Sequence, residues 1–312
     1  MIDLSGVGSL LITGTNGFVG RSIIDQIAKL ETQQLPHEIL LVTRQGIDFD
    51  VPTSLNSRIK LFNQDLTQNW KFDNEVTHVI NLAADGSQSP YSEAANNTFT
   101  SIVANLVAWI STCQEFPRVF HASTGACSGY KPINQAIKAA NPKSSFALNR
   151  LEAETTLKNA SKIIGFELSI GRLFTFSGIH LLRKGQYAVS DFIKSAISTN
   201  SIKVTGDPNT VRSYLHQDAM AEWILQALVW HEPDTSLEIG SSHKVTIREL
   251  AEFIAQETSA SVSFPEAPDG GDVYLPNNQE TRDKLGVTEG KSWDLAIKEM
   301  INVERKKFHG IF

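Results

Sequence analysis

The strongest constraint on how this chain folds is a glycine-rich turn that links an apolar run to an amphipathic helix pattern. The turn covers residues 14–20, with the letters GTNGFVG. The run before it, 9–13, has the composition of a buried strand, and apolar residues recur at helical spacing from 18 to 30. The N-terminus of such a helix presents free N–H groups and a partial positive charge. The turn is therefore predicted to bind a phosphate group.

Each glycine of the turn has its own predicted role. Gly14 permits the tight turn, Gly17 lets a phosphate approach the backbone, and Gly20 lets the helix pack closely on the strand. A glycine triplet by itself is a weak signal, and the alternative is a plain tight turn. Its position between the first strand and the first helix favours the phosphate loop.

Apolar runs and helical patterns alternate through the first half of the chain. Strands are predicted at 9–13, 39–42, 59–62, 78–82, 118–122 and 167–170, and helices at 18–30, 98–113 and 145–160. Strands that alternate with helices form βαβ units with right-handed crossovers. The predicted fold class is therefore α/β, a doubly wound parallel sheet with helices on both faces, which is the Rossmann fold.

The second half is less regular. Helices are predicted at 190–199, 217–230 and 292–304, strands at 202–204 and 237–239, and a loop rich in Pro, Gly and Asp at 261–278. These pieces predict a smaller lobe that covers a substrate, with segments that return to the main sheet. The predicted domains are a dinucleotide-binding domain at 1–178 and a substrate-binding lobe at 179–312.

Composition excludes several classes of function. A net charge of −6 over 312 residues argues against a nucleic-acid surface, which needs clustered Lys and Arg. No apolar run is long enough to span a membrane, and the N-terminus lacks a secretory signal. Cys113 and Cys127 are expected to be buried thiols in a reducing cytoplasm, not a disulfide. The eight histidines show no metal-ligand spacing, so no metal site is predicted.

The end of the second strand indicates which dinucleotide binds. An acidic residue there accepts from the adenosine ribose 2′-OH and favours NAD. This chain has Thr43 and Arg44 instead. A guanidinium pairs well with a 2′-phosphate, so NADP is predicted to be preferred over NAD. The alternative for Arg44 is a solvated arginine at a strand end.

Motifs along nearly the whole chain resemble those of the extended short-chain dehydrogenase/reductases, within the NAD-dependent epimerase/dehydratase group that acts on nucleotide sugars. Each motif alone is loose, but their order and spacing are specific. They are the glycine loop at 14–20, Asp65-Leu66, Asn81-Leu82-Ala83-Ala84, Ser123-Thr124 before Gly129, Gly171-Arg172-Leu173 before Gly178, 204–207, 212–218, 237–240 and 245–250.

The resemblance implies two sets of site residues. The set expected at the cofactor is Gly14, Asn16, Gly17, Phe18, Val19, Gly20, Thr43, Arg44, Asp65, Leu66, Ala83, Ala84 and Arg150, with Asp65 and Leu66 flanking the adenine ring. The set expected at a nucleotide-sugar substrate is Ser123, Thr124 and Arg212, with Arg212 on the nucleotide phosphate. The alternatives are a surface loop arginine at Arg212 and a plain strand end at Ser123 and Thr124. The resemblance also implies a homodimer that forms through the helices of the fourth and fifth strands.

The chain departs from this group at its catalytic signature, which is a tyrosine, three residues and a lysine. Phe146 stands at the tyrosine position and Arg150 at the lysine position, although the helix around them matches. A phenyl ring neither gives nor accepts a proton, and losing a positioned acid or base costs about 10²–10⁴ in rate. Arg150 can still donate to ribose hydroxyls, and Thr124 can donate to a sugar oxygen.

Two functions therefore remain open. The first is an oxidoreductase, epimerase or reductase for a nucleotide-linked sugar with relocated acid/base groups. Tyr130 beside Lys131 is one candidate group, although an exposed loop tyrosine is the favoured interpretation of Tyr130, and a substrate carboxylate or an ordered water is another candidate. The second is a catalytically inactive protein of the same fold that binds the cofactor and acts as a regulator or partner. Retention of Thr124 and Arg212 favours the first, whereas Phe146 and Arg150 favour the second.

Overall fold

The structure is a computed structural model that describes residues 2–72, 75–84, 89, 91–128, 142–183, 187–230, 232, 236–266 and 271–310, with the backbone alone at 142–144. The chain divides into two compact units. The first comprises Met1–Leu173 and Ala221–Leu237, and the second comprises Phe174–Met220 and Glu238–Phe312. The assignment of cofactor binding to residues 1–178 and of substrate binding to 179–312 stays a prediction.

The strands in chain order are β1 (Ser9–Thr13), β2 (Glu38–Thr43), β3 (Ile59–Asn63), β4 (His78–Asn81), β5 (Arg118–Thr124), β6 (Leu168–Leu173), β7 (Phe176–Ser177), β8 (Ser201–Lys203), β9 (Val211–Arg212), β10 (Leu215–His216), β11 (Ser236–Ile239), β12 (Val245–Thr246) and β13 (Ser261–Ser263). The helices are α1 (Phe18–Ala28), α2 (Glu93–Ile110), α3 (Pro142–Ile164), α4 (Ala188–Thr199), α5 (Gln217–Val229), α6 (Ile247–Thr258), α7 (Gln279–Leu285) and α8 (Trp293–Phe308).

Seven strands form one sheet in the order β11-β6-β5-β4-β1-β2-β3. β1 pairs in parallel with both β2 and β4, and the pairs β2–β3, β4–β5 and β5–β6 are parallel as well. The strand order reverses between β1 and β4, which leaves a crevice beyond the carboxyl ends of these two strands, where ligands of such sheets bind. The predicted doubly wound α/β sheet is confirmed.

Helices cover both faces of this sheet. Leu11, Val79 and Val119 share one buried cluster with the inward side chains of α2 and α3. Ser169, which points to the opposite face from its cluster neighbours Leu168 and Ile170, donates to the Ala227 carbonyl of α5 at 2.9 Å. Two covered faces explain why the strands are continuous apolar runs.

The longest helices of the first unit begin earlier than the apolar periodicity predicts. α2 begins at Glu93 and not at residue 98, because Ser92 caps it by accepting from the Ala95 N–H at 3.1 Å. α3 covers Pro142–Ile164, whereas the pattern predicts only 145–160. Polar first turns carry no apolar signal, so helix starts of this kind are hidden from periodicity.

In the second unit α4, α6 and α8 pack together, and β8 pairs in parallel with β13. β13 corrects the prediction of a loop over 261–278, since Ser261–Ser263 form a strand by pairing with a segment sixty residues earlier. α6 begins with a capping box, in which Thr246 accepts from Glu249 N and Glu249 accepts from Thr246 N. Among the described residues, no helix combines the length and apolar character needed to cross a membrane.

Candidate active site

The two outer glycines of the turn are required by the packing of the chain itself. Gly14 has a φ of +68°, and a Cβ there would stand 2.8 Å from the Leu82 carbonyl oxygen at the end of β4. A Cβ on Gly20 would stand 2.6 Å from the Gly14 oxygen and 2.7 Å from the Thr15 Cα. The predicted roles in the tight turn and in close helix packing are both explained by these contacts.

The middle glycine has no such explanation among the described residues. Gly17 is the N-cap of α1 and has an extended backbone, φ −75° and ψ 167°, which any residue adopts. A Cβ there would approach only the Gly14 oxygen, at 3.1 Å, within the described part of the chain. Because the N-cap is a glycine, it has no side chain to cover the first N–H groups of α1. The turn therefore has the open backbone that an incoming phosphate needs.

Asn16 fastens the glycine turn to the loop that follows β2. Its side-chain amide donates to the Gly46 carbonyl at 2.8 Å, and its oxygen accepts from the Asp48 N–H at 3.2 Å. Arg21, only 4% exposed, donates to the Asn16 carbonyl and to the Asp48 carbonyl at 3.2 Å each. Arg21 also forms an ion pair with the Asp48 carboxylate and lies 4.4 Å from the centre of the Phe49 ring.

The hydrogen bonds from Asn16 and Arg21 hold the loop after β2 in place, and this loop begins with Arg44. Arg44 is exposed at the end of β2, and Thr43 beside it donates to the Asn63 side chain at 3.4 Å. Asp65 accepts from the Thr67 backbone and hydroxyl, and these bonds, with a smaller contribution from Arg44, hold the pKa of Asp65 below its usual value. A cation and an anion thus lie near each other at the predicted ribose end of the site.

The predicted fourth-strand motif is tied to β1 through one buried hydroxyl. The Thr13 hydroxyl donates to the Asn81 side chain at 2.9 Å and accepts from the backbone N–H groups of Leu82 and Ala83 at 3.0 and 3.1 Å. These bonds set the backbone of 82–83 against the glycine turn. Ala83 is buried and Ala84 is exposed.

Leu66 is a core residue by its side chain. It is 6% exposed within the apolar cluster, and its carbonyl accepts from the Trp70 indole and the Asn105 amide, both at 3.1 Å. Any part of Leu66 in adenine binding therefore falls to its edge or to its neighbours. Asp65, which precedes it, is exposed.

β5 presents its two terminal hydroxyls differently. Ser123 is 7% exposed and donates to the Glu154 carboxylate at 2.6 Å. Arg172 of β6 donates to both oxygens of the same carboxylate, at 3.0 and 2.7 Å. Burial would raise the pKa of Glu154, but the hydrogen bonds from Arg172 and Ser123 outweigh it and keep that pKa below its ordinary value. Ser123 is thus engaged inside the unit.

Thr124 is half-buried at the carboxyl end of β5. Its hydroxyl accepts from the Ala126 N–H at 3.2 Å and caps the short 3-10 helix Gly125–Cys127. Cys127 is buried, as expected, and burial raises the pKa of its thiol to about 11. Cys113 is buried as well.

Phe146 and Arg150 form an aromatic and cationic cluster with α2. The Arg150 guanidinium carbon lies 3.4 Å from the centre of the Phe99 ring and 4.7 Å from that of Phe146. Arg150 is 6% exposed and donates to the Asn149 side chain at 2.5 Å. Burial lowers the pKa of Arg150 to about 10, so the group remains charged at neutral pH. These contacts hold the cation against aromatic rings.

A tyrosine that the sequence did not point to lies against the same ring. The rings of Tyr91 and Phe146 meet edge to face, with centroids 5.5 Å apart and planes at 78°. Tyr91 is 43% exposed. Arg21, Glu154 and Tyr91 contact predicted site residues but are not among the residues that the sequence predicts. A charged residue on a buried helix stripe could have revealed the first two, whereas no spacing links Tyr91 to Phe146.

In the second unit, Arg212 donates to the Asp272 carboxylate and to the Val211 carbonyl oxygen, both at 2.8 Å. Its guanidinium lies 5.6 Å from the centre of the Tyr274 ring, which packs at a tilt of 36° against the Phe174 ring. Asp272 is largely exposed, and exposed ion pairs are weak. A phosphate could therefore displace that carboxylate at little cost.

Some predictions fall elsewhere. Gly129, Tyr130 and Lys131 lie outside the described residues. Across the described ranges, no three His, Cys, Asp or Glu side chains are grouped to hold a metal ion.

A parallel doubly wound sheet with an open glycine turn at its switch point defines a dinucleotide-binding protein of the Rossmann class. The family model of the NAD dependent epimerase/dehydratase family matches residues 10–240. The chain belongs to this family, which is a family of enzymes.

Three relatives illustrate what the chain is similar to. A putative UDP-glucose 4-epimerase of Methanocaldococcus jannaschii is 25% identical over 275 residues, which are 85% of this chain and 88% of the relative. UDP-glucuronic acid decarboxylase 1 of Arabidopsis thaliana is 22% identical over 88% of this chain and 65% of its own length. The crystal structure of the Bordetella bronchiseptica enzyme WbmF with NAD+ has a TM-score of 0.80 at 14% identity, covering 99% of this chain and 95% of that one.

Proposed function

We propose that the protein is an NAD(P)-dependent enzyme that acts on a UDP-linked sugar, by epimerisation, dehydration or reduction, with acid/base groups other than a tyrosine–lysine pair. The open backbone at Gly17 carries the cofactor part of this proposal, because a Cβ there would meet only one described atom, the Gly14 oxygen at 3.1 Å, and a small shift relieves that contact. The names of the epimerase and decarboxylase relatives support a UDP-sugar as the substrate class.

Each part of the cofactor and the substrate is assigned to particular residues of the chain. The N–H groups at the start of α1 bind the pyrophosphate, Arg44 meets the adenosine ribose, and Asp65 lies beside the adenine ring. Thr124 donates a hydrogen bond to a sugar oxygen, Ser123 and Glu154 hold the end of β5 in place, and Arg212 binds the nucleotide phosphate. When bound, the nicotinamide supplies hydride acceptance and return at a sugar carbon.

A valine at the middle glycine tests the cofactor site. We expect Gly17→Val to abolish binding of NAD(H) and NADP(H), because a branched side chain fills the space of the pyrophosphate. The fold should remain, since φ −75° suits valine and a Cβ has one close neighbour among the described residues. The measurement is isothermal titration calorimetry, with circular dichroism on the same sample.

Gly6→Val is the matched control, because no described atom lies within 4 Å of the point where a Cβ on Gly6 would stand, and Gly6 lies away from the turn. This variant should bind the cofactor like the wild type. A folded Gly17→Val protein with wild-type affinity would remove the glycine turn from the cofactor site.

The wild-type protein is expected to bind NADP(H) more tightly than NAD(H), because the Arg44 guanidinium can pair with the 2′-phosphate. Arg44→Ala should weaken NADP binding by about 1.5–3 kcal/mol, the range for a hydrogen bond to a charged group, and leave NAD binding unchanged. The NADP affinity of Arg44→Lys should lie between those of the wild type and Arg44→Ala, since lysine keeps the positive charge but lacks the paired N–H donors of the guanidinium. Calorimetry with both cofactors decides, and equal affinities for the two would refute this role of Arg44.

A catalytically inactive regulatory or partner protein is the second candidate. The buried stacking of Arg150 on Phe99 and Phe146 favours it, since the residue at the lysine position is held by aromatic rings. A protein of this kind would bind cofactor and UDP-glucose but yield no product with UDP-glucose, UDP-galactose or UDP-glucuronic acid. The homodimer and the cytoplasmic location stay predictions.

A further inference from the structure

We infer that the hydroxyl of Tyr91 makes the proton transfer that a phenol at position 146 would otherwise make. This inference rests on the proposed function, because it assigns the missing acid/base group of that same site. The phenol of this site belongs to Tyr91 and not to residue 146. The Tyr91 ring packs against the ring of Phe146, which has no hydroxyl group.

The distribution of tyrosines singles out Tyr91. In the described part of the chain, Tyr187, Tyr214 and Tyr274 belong to the second unit, and only Tyr91 shares the first unit with Thr124 and Phe146. Tyr214 is 3% exposed, and burial raises the pKa of its phenol. Tyr274 is packed against Phe174.

Phe146 is flanked by the two chemical groups that the family signature combines. The Arg150 guanidinium lies 4.7 Å from its ring centre, and the Tyr91 ring lies 5.5 Å from it. A phenol, from Tyr91, and a fixed cation, from Arg150, thus both lie next to Phe146, although the side chain of Phe146 supplies neither group. With 43% of its surface exposed, Tyr91 is accessible from solvent.

The position of Tyr91 is fixed by the start of α2. It directly precedes Ser92, whose hydroxyl caps the helix and whose carbonyl accepts from Asn96 N at 3.1 Å. α2 is in turn tied to α3, because the Asn149 amide donates to the Thr100 hydroxyl at 2.8 Å. Asn149 lies three residues after Phe146, so the two rings are held by elements that are bonded to each other.

The chemistry balances with the groups named. As the carbinol carbon of the sugar gives up a hydride to the bound nicotinamide, the Tyr91 phenolate takes the proton of the attached hydroxyl, which leaves a keto sugar and a neutral phenol. In the reverse direction the Tyr91 Oη–H returns this proton to the keto oxygen as the hydride returns to carbon. Thr124 donates to the same oxygen in both directions.

Tyr91→Phe tests this role with the full chain. With UDP-glucose, UDP-galactose and UDP-glucuronic acid as probes, kcat should fall by about 10²-fold, the lower end of the usual cost of losing a positioned acid or base. Calorimetric affinities for cofactor and UDP-sugar should stay at wild-type values. Tyr187→Phe, at another half-exposed tyrosine, is the matched control and should leave kcat unchanged. Adding both Phe146→Tyr and Arg150→Lys to Tyr91→Phe should restore part of the lost rate.

A second measurement does not depend on turnover. Nitration of Tyr91 by tetranitromethane, mapped by mass spectrometry, should be suppressed when NADP+ and UDP-glucose are both bound, whereas Tyr187 nitration should not change. Wild-type turnover that Tyr91→Phe leaves intact, or Tyr91 nitration that the ligands do not slow, would overturn the inference alone. A wild-type protein that binds both ligands but converts no probe would overturn the proposed enzyme function and this role with it.

Discussion

The double variant Phe146→Tyr with Arg150→Lys is expected to turn over UDP-sugars up to about 10²-fold faster than the wild type. The wild type should be slower because its phenol belongs to Tyr91 and not to residue 146, and the gain is the part of the usual contribution of about 10²–10⁴-fold that Tyr91 does not supply. The variant restores a phenol and its neighbouring ammonium in a helix that otherwise matches the family signature. The surrounding scaffold is in place, since Ser123, Glu154 and Arg172 hold the end of β5 by hydrogen bonds of 2.6–3.0 Å.

Neither single change should suffice. A phenol without a suitably placed cation keeps a pKa near 10, and the Arg150 guanidinium is buried against Phe99. Product formation is followed by chromatography of the UDP-sugars and by the absorbance of reduced nicotinamide. A fast wild type and a slow double variant would contradict the prediction, because the substitutions would then have disturbed a working proton-transfer group. If neither protein converts a sugar although both bind cofactor, the regulatory function gains support.

The second large effect is on stability. Glu154→Gln should lower the free energy of unfolding by about 3 kcal/mol, because it leaves the Arg172 guanidinium facing a neutral amide in a buried site. Glu154 is 1% exposed and accepts three hydrogen bonds, two from Arg172 and one from Ser123. Urea unfolding followed by circular dichroism measures the change.

The control is Glu252→Gln, which breaks the exposed i,i+4 pair with Arg248 on α6. Such pairs contribute about 0.3–0.5 kcal/mol, so the control should be nearly silent. Equal losses of unfolding free energy in the two variants would show that the buried Glu154–Arg172 pair stabilises the fold no more than the exposed pair does.

The same carboxylate predicts a dependence of stability on pH. The folded pKa of Glu154 lies below its unfolded value of about 4.3, so its stabilisation is complete above that pH and is lost as pH falls through the folded pKa. Wild-type stability should therefore drop more steeply below about pH 4.3 than that of Glu154→Gln. If the unfolding free energies of the two proteins fall in parallel with pH, Glu154 is not the source of the pH dependence.

Local patterns predict much of the first unit correctly. The bounds of β1 agree to the residue, because five buried apolar or small residues end at a glycine that must adopt a positive φ. Where polar residues open a helix, as in α2, or where a strand forms only by distant pairing, as in β13, periodicity over a short window has nothing to detect.

The sequence by itself determined the sheet, the glycine turn and the absence of a phenol at 146, because each depends on residue type and on spacing along the chain. Only the tertiary structure decided which side chains are engaged. It placed Ser123 on Glu154, clamped Asn16 and Arg21 onto the loop after β2, and brought Tyr91 against Phe146. These contacts join residues at least 27 positions apart in the sequence. Residues so far apart are brought together by the packing of α2, α3 and the sheet, which no local sequence pattern describes.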